Sequence, residues 1–178
     1  MSCRERLLLK KGFTLVELMI VVAIIVIVST FASINIVDRI RKNNEIRTKV
    51  IVPTVIKNTI DKAFAEGRKY YIDIPVSNEK TIKVTKNMAN TTTTAIAEEI
   101  SIPKGNITYT TVPSTVTQIV IGEKGNVVNN VDIIIKSGTI PFYKIEVKNI
   151  TGVDIGSVRT FKSNTNTETA IWVEESGK

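Results

Sequence analysis

The chain has 178 residues, room for one modest domain beside a long helix. It contains no histidine, which excludes a His-based triad and imidazole metal ligation, and its single cysteine, Cys3, excludes a disulfide within the chain. A net charge of +7 invites a polyanionic partner, but Arg4, Arg6, Lys10 and Lys11 against Glu5 place +3 of it before Phe13, leaving +4 for the rest.

Residues 1–12 form a short basic segment ending at Gly12. From Leu18 to Val37 no charged residue appears, and these twenty residues make a helix of about 30 Å, the thickness of a bilayer's hydrocarbon core. The expectation is a membrane-inserted helix over 13–37, with Lys10 and Lys11 among the cations that hold its first end in the cytoplasm. An ordinary secretory signal would need an apolar core of about 7–15 residues followed by a small-residue site. This run is longer, carries Glu17 near its start and offers only Thr30-Phe31-Ala32 as such a site. An acid within a membrane helix costs roughly a few kcal/mol unless it reaches the headgroups, protonates or finds a partner. On charge alone, Glu17 reaching the headgroup zone explains it as well as a partner does. Ser29, Thr30, Ser33 and Asn35 roughen the second half of the run, either as small polar residues through which membrane helices approach or as interface residues near the far headgroups.

Asp38-Arg39-Ile40-Arg41-Lys42 marks the exit from the apolar run, and an amphipathic pattern then continues to Glu66. Val52, Ile56, Ile60, Ala63 and Phe64 fall at helical spacing, with Lys49, Lys57, Asn58, Asp61 and Lys62 between them. Pro53 lies inside this stretch and is expected to kink the helix. Gly67 reads as its C-terminal stop.

Beyond Gly67 the texture becomes β-like. Short runs at Tyr70 to Val76 and Thr81 to Thr85 are separated by polar turn residues. Asn87 to Ala95, with four consecutive threonines, reads as a loop or irregular edge. Thr117 to Ile121 ends at a turn over Gly122 to Asn126, and Val131 to Lys136 ends at Ser137-Gly138. Tyr143, Ile145 and Val147 alternate with Lys144, Glu146 and Lys148, the signature of an antiparallel sheet covered on one face. Ala170 to Glu174 adds a last strand around Trp172. The helix stripe ending at Phe64 is the natural cover for the sheet.

The block Lys10-Lys11-Gly12-Phe13-Thr14-Leu15-Val16-Glu17-Leu18, running into an apolar helix, resembles the class III signal of type IV pilins and of the pseudopilins of type II secretion. Tyr143 to Val153, a β-like run followed by Thr151-Gly152, also resembles the closing strands of H-type minor pseudopilins. The first resemblance implies cleavage between Gly12 and Phe13 by a membrane prepilin peptidase, N-methylation of Phe13, and recognition of the leader through Lys10 and Lys11. It further implies pairing of Glu17 with the free α-amino group of a neighbouring subunit during filament assembly. An α+β, pilin-like fold follows: leader 1–12, a long helix over 13–66, transmembrane in its first half and amphipathic in its second, and an antiparallel β domain over 67–178. The implied partners are the peptidase, other subunits, an inner-membrane assembly platform and the lipid bilayer. The implied location is the cytoplasmic membrane, single-pass with the N-terminus inside, and then an extracytoplasmic filament. Pilins often place a glycine and a proline in the second half of the apolar helix and a disulfide in the β domain; this chain has neither.

No glycine-rich phosphate loop and no paired-carboxylate constellation is evident, no cofactor is called for, and the reading is not that of an enzyme. Glu98-Glu99 reads as a solvated pair. Asp132 and Asp154 come to mind as calcium ligands, but no loop clusters oxygen ligands around them. Two further readings are a tethered binding domain with an uncleaved anchor and a DNA-uptake pseudopilin, the latter predicting salt-sensitive DNA binding.

Overall fold

The computed structural model describes residues 12–75, 81–88, 94–103, 106–165 and 167–175, with residues 31–35 described by backbone alone. Lys10, Lys11 and the rest of the basic segment before Gly12 lie outside these residues, as do most of the threonine run and the side chains of Ser33 and Asn35.

One long helix, α1, spans Leu15–Glu66. The chain divides into two compact units within it, residues 1–41 and 42–178. Helix α1 stops where Gly67 turns to φ 60°, and the Arg68 N–H reaches back to the Ala63 carbonyl at 3.3 Å. That is the six-to-one bond of a Schellman cap, which a glycine beyond the helix makes without Cβ strain. Pro53 is inside α1 and buried, and the helix continues through it to Glu66.

In the second unit, α1 turns a buried stripe of Thr48, Val52, Ile56, Thr59, Ile60 and Ala63 inward. The two threonines satisfy their hydroxyls on their own helix, Thr48 on the Asn44 carbonyl at 2.8 Å and Thr59 on the Val55 carbonyl at 2.7 Å. Phe64 departs from the expected stripe. It lies one position past Ala63, a rotation of about 100°, and is 69% exposed while Ala63 is fully buried.

Among the described residues nine strands follow: β1 Tyr70–Asp73, β2 Thr81–Asn87, β3 Thr94–Ser101, β4 Ile107–Val112, β5 Gln118–Ile121, β6 Val131–Ser137, β7 Ile140–Asn149, β8 Gly156–Ser163 and β9 Trp172–Glu174. They form two antiparallel sheets rather than the single expected one. The four-stranded sheet has order β3-β2-β1-β5, and the five-stranded sheet β4-β6-β7-β8-β9. The first strand is shorter than its sequence run, with the Ile74 N–H bonded to the Thr117 carbonyl at 2.9 Å instead of to β2. Strands β3, β4 and β8 escaped the sequence pattern, each for a different reason. In β3, an edge strand, Ala and Glu occupy exposed positions on both faces; in β4 the buried side is held by Tyr109 and Thr111; in β8 exposure is partial along its length.

The core is shared by all three layers. Val52, Ile56 and Ile60 of α1 cluster with Ile72, Val84 and Ile119 of the first sheet and with Ile133, Ile145 and Val147 of the second. Tyr109 is also in this core, where burial pushes its pKa up to about 12 against the opposing hydrogen bond with Thr48.

The outward face of β7 is tied together more closely than its alternation implied. Glu146 is 9% exposed and receives Lys144 at 2.6 Å and Arg159 at 3.1 Å. Lys148 reaches Asp132 at 3.2 Å, and the Lys144 ammonium sits 4.5 Å from the centre of the Phe161 ring. Asp132 therefore spends its charge on lysines. Among the described residues, no three His, Cys, Asp or Glu side chains gather as metal ligands. Glu98, on β3, pairs with Lys62 at 2.7 Å across an exposed surface, an arrangement that contributes little to stability.

Candidate functional site

Helix α1 begins at Leu15, so Gly12, Phe13 and Thr14 precede it in non-helical backbone. The first N–H groups of any helix lack intrahelical acceptors. Here Thr14 and Glu17 supply them. The Glu17 N–H donates to Thr14 Oγ1 at 3.2 Å, and the Thr14 N–H donates back to Glu17 Oε2, also at 3.2 Å. The Thr14 hydroxyl adds a third bond to Oε2 at 3.1 Å. This reciprocal pair is a capping box, and the carboxylate gains further from the positive end of the helix dipole.

Glu17 therefore has a local role that a purely intermolecular account omits. The signal was present in the sequence as Thr14-x-x-Glu17 before an apolar run, and the sequence reading passed over it in favour of the charge on Glu17. Both bonds from Thr14 end on Oε2. A carboxylate offers about four acceptor positions, so the box leaves capacity for an ammonium group.

The geometry puts Gly12 and Phe13 just outside the helix. Phe13 is 82% exposed, and Gly12, Phe13, Thr14 and Glu17 line one shallow surface hollow. The helix that follows is apolar and uncovered: Leu15, Leu18, Met19, Ile24 and Ile27 are all more than half exposed. Ser29 and Thr30 turn their hydroxyls onto their own helix, bonding the Ile25 and Val26 carbonyls at 2.7 and 2.8 Å. Among the described residues no helix is long and apolar enough to cross a membrane; the apolar run of the sequence passes through residues 31–35, which are described by backbone alone. Pro53 belongs to the other compact unit and is not part of this site.

Residues 8–33 match the family described as Prokaryotic N-terminal methylation motif. The crystal structure of the type IV minor pilin FimU of Pseudomonas aeruginosa strain PAO1 is similar at 11% identity and a TM-score of 0.41, over 82% of this chain and 92% of that one. Among curated proteins, none matches the chain. The methylation motif thus covers the Gly12–Phe13 bond, the Thr14–Glu17 cap and the first half of the apolar stretch of α1.

Proposed function

We propose that this chain is a structural subunit of a type IV pilus or of a secretion pseudopilus, made as a precursor and cut between Gly12 and Phe13 by a prepilin peptidase. The observation that carries the reading is the methylation motif over residues 8–33, with its Gly12–Phe13 bond in non-helical backbone two residues before α1. A protease needs an extended, accessible strand of substrate, and a bond inside a hydrogen-bonded helix does not offer one. The capping box ends the helix at Thr14 and so keeps the Gly12–Phe13 bond outside it.

Cleavage creates an α-amino group on Phe13, which the peptidase then methylates. This cation has no counterpart in the precursor. In the apolar setting of packed helices, an isolated ammonium and an isolated carboxylate cost more than a pair. Glu17 of one subunit then accepts the Phe13 amine of a neighbour, using the acceptor capacity that Thr14 leaves. The exposed apolar surface of α1 serves first as the membrane anchor, with Lys10 and Lys11 orienting it, and later as the filament core. Lipid already solvates these side chains, so packing and charge pairing must supply the net gain. Assembly therefore draws on an inner-membrane platform.

The reading is tested by incubating membranes that contain the full chain with a prepilin peptidase and determining the N-terminus. A product beginning at Phe13 supports it, and a chain still beginning at Met1 overturns it.

A further inference from the structure

The loop between β7 and β8 is apolar where a surface turn is ordinarily polar. Ile150, Val153 and Ile155 are 49%, 49% and 44% exposed. The loop is well tied: the Ile150 N–H donates to the Ile155 carbonyl at 2.9 Å, the Val153 N–H to the Ile150 carbonyl at 3.0 Å, and Asn149 Nδ2 to Asp154 Oδ1 at 3.3 Å. It is also held near the end of α1. The Gly156 N–H bonds the Gly125 carbonyl at 2.9 Å, and a Cβ on Gly125 would stand 3.3 Å from the Cβ of Phe64. Phe64 is 69% exposed, and Val128 beyond Gly125 is 59% exposed. Through Gly156 and Gly125 the apolar loop is thus tied beside Phe64 as an apolar cap near the C-terminal end of α1, with Asp154 set between Val153 and Ile155 in the chain.

A second apolar surface lies elsewhere on the same unit. Ile46 and Val50 of α1 are 59% and 60% exposed, one turn apart on the helix and turned away from the buried stripe, with exposed Arg47 beside Val50. Eighteen residues of helix separate Ile46 from Phe64, about 27 Å. The two surfaces are thus apart on one molecule, both apolar, and of opposite charge through Asp154 and Arg47. Exposed apolar side chains that lie together mark interaction sites more often than isolated ones do. A two-fold dimer uses one patch twice, whereas two different complementary patches make a head-to-tail contact that repeats, as a ring where the rotation closes and as an open filament where it does not.

We propose that the cap of one copy, built on Phe64, Val153 and Ile155, docks on the Ile46–Val50 face of a second copy, with Asp154 against Arg47. The inference rests on the filament-subunit reading and names the contact between β domain and helix that would link successive copies.

The test uses the full chain, with Cys3→Ser to remove its only thiol, in cells of its native producer. Val50→Cys and Val153→Cys together are expected to give an oxidatively cross-linked dimer, while Val50→Cys with Lys83→Cys, a position on the first sheet, gives none. Asp154→Arg alone and Arg47→Asp alone are each expected to lower incorporation into filaments at least tenfold, and the two together to restore it. Restoration by the swap is a result that damage to the fold of either single variant does not produce. If the parent chain is incorporated normally but the Val50–Val153 pair does not cross-link and the charge swap restores nothing, the docking contact is wrong and the subunit reading stands. If the parent chain enters no filament, both are overturned.

Discussion

The side-chain amide of Asn149 grips both backbone groups of Val127: the Val127 N–H donates to Asn149 Oδ1 at 2.7 Å, and Asn149 Nδ2 donates to the Val127 carbonyl at 3.0 Å. Val127 also bridges to Ile121 at the end of β5, so one side chain at the end of β7 ties the second sheet to the edge of the first. Asn129 repeats the device along β5. Its Oδ1 takes the Val120 N–H, and its Nδ2 donates to the Gln118 carbonyl, both at 2.7 Å. This edge of the first sheet is therefore paired with side-chain amides and is not left open to other chains.

Asn149→Ala leaves a buried N–H and carbonyl without partners, a loss of about 1–3 kcal/mol. Denaturant unfolding of the variant should show a lower midpoint with an unchanged slope. Asn149→Asp keeps the acceptor but loses the donor, and should fall between the alanine variant and the parent.

The capping box separates two roles of Glu17. Thr14→Val removes the cap and leaves the carboxylate, and should fray the first turn of α1 at a cost of about 0.5–2 kcal/mol, visible as faster amide exchange at Leu15 to Leu18. Glu17→Ala removes both the cap and the charge. It should abolish filament incorporation while Thr14→Val reduces it only partly. Equal losses in the two variants would show that helix capping, rather than charge pairing, is what assembly needs.

The network on the outer face of β7 makes the domain acid-sensitive. Burial pushes the Glu146 carboxyl up, but the hydrogen bond from Lys144 and the charges of Lys144, Lys148 and Arg159 outweigh it and hold the group below the ordinary carboxylate value. A group depressed in the folded state contributes stability above its unfolded value, about 4.3 for glutamate. That contribution is lost as pH falls from there through the folded value. Thermal unfolding across this acid range should fall more steeply for the parent than for Glu146→Gln, whose acid limb should be flatter.

The stripe of α1 predicts a contrast between two of its apolar residues. Ile56 is 1% exposed and Phe64 is 69% exposed. Ile56→Ala should cost about 2–5 kcal/mol through lost transfer energy and the cavity left behind, while Phe64→Ala, on the surface, should stay within about 0.5 kcal/mol. Denaturant midpoints of the two variants check both values. A large loss at Phe64 would place it back in the core.

Much of this molecule was legible before its structure. The uncharged run after Glu17, the stop at Gly67, the turn at Gly122 to Asn126 and the alternation from Tyr143 to Lys148 each rest on a local property of the chain: hydropathy, glycine's freedom at positive φ, or a two-residue period. Gly125 shows this at φ 72° in the expected turn. Strands β3, β4 and β8 were not legible, because a strand that is exposed on both faces or that buries threonine carries no period for a reader to detect.

The sequence by itself determined the basic segment ending at Gly12, the Thr14-x-x-Glu17 cap signal and the apolar helix, since each depends on residues within a few positions of one another. Only the tertiary structure decided that the strands divide into two sheets, that Asn149 and Asn129 join and close their edges, that Phe64 faces out while Ala63 faces in, and that Phe64 comes to lie beside Gly125. Those outcomes depend on residues far apart in the chain competing for one core, and no local pattern encodes the result of that competition.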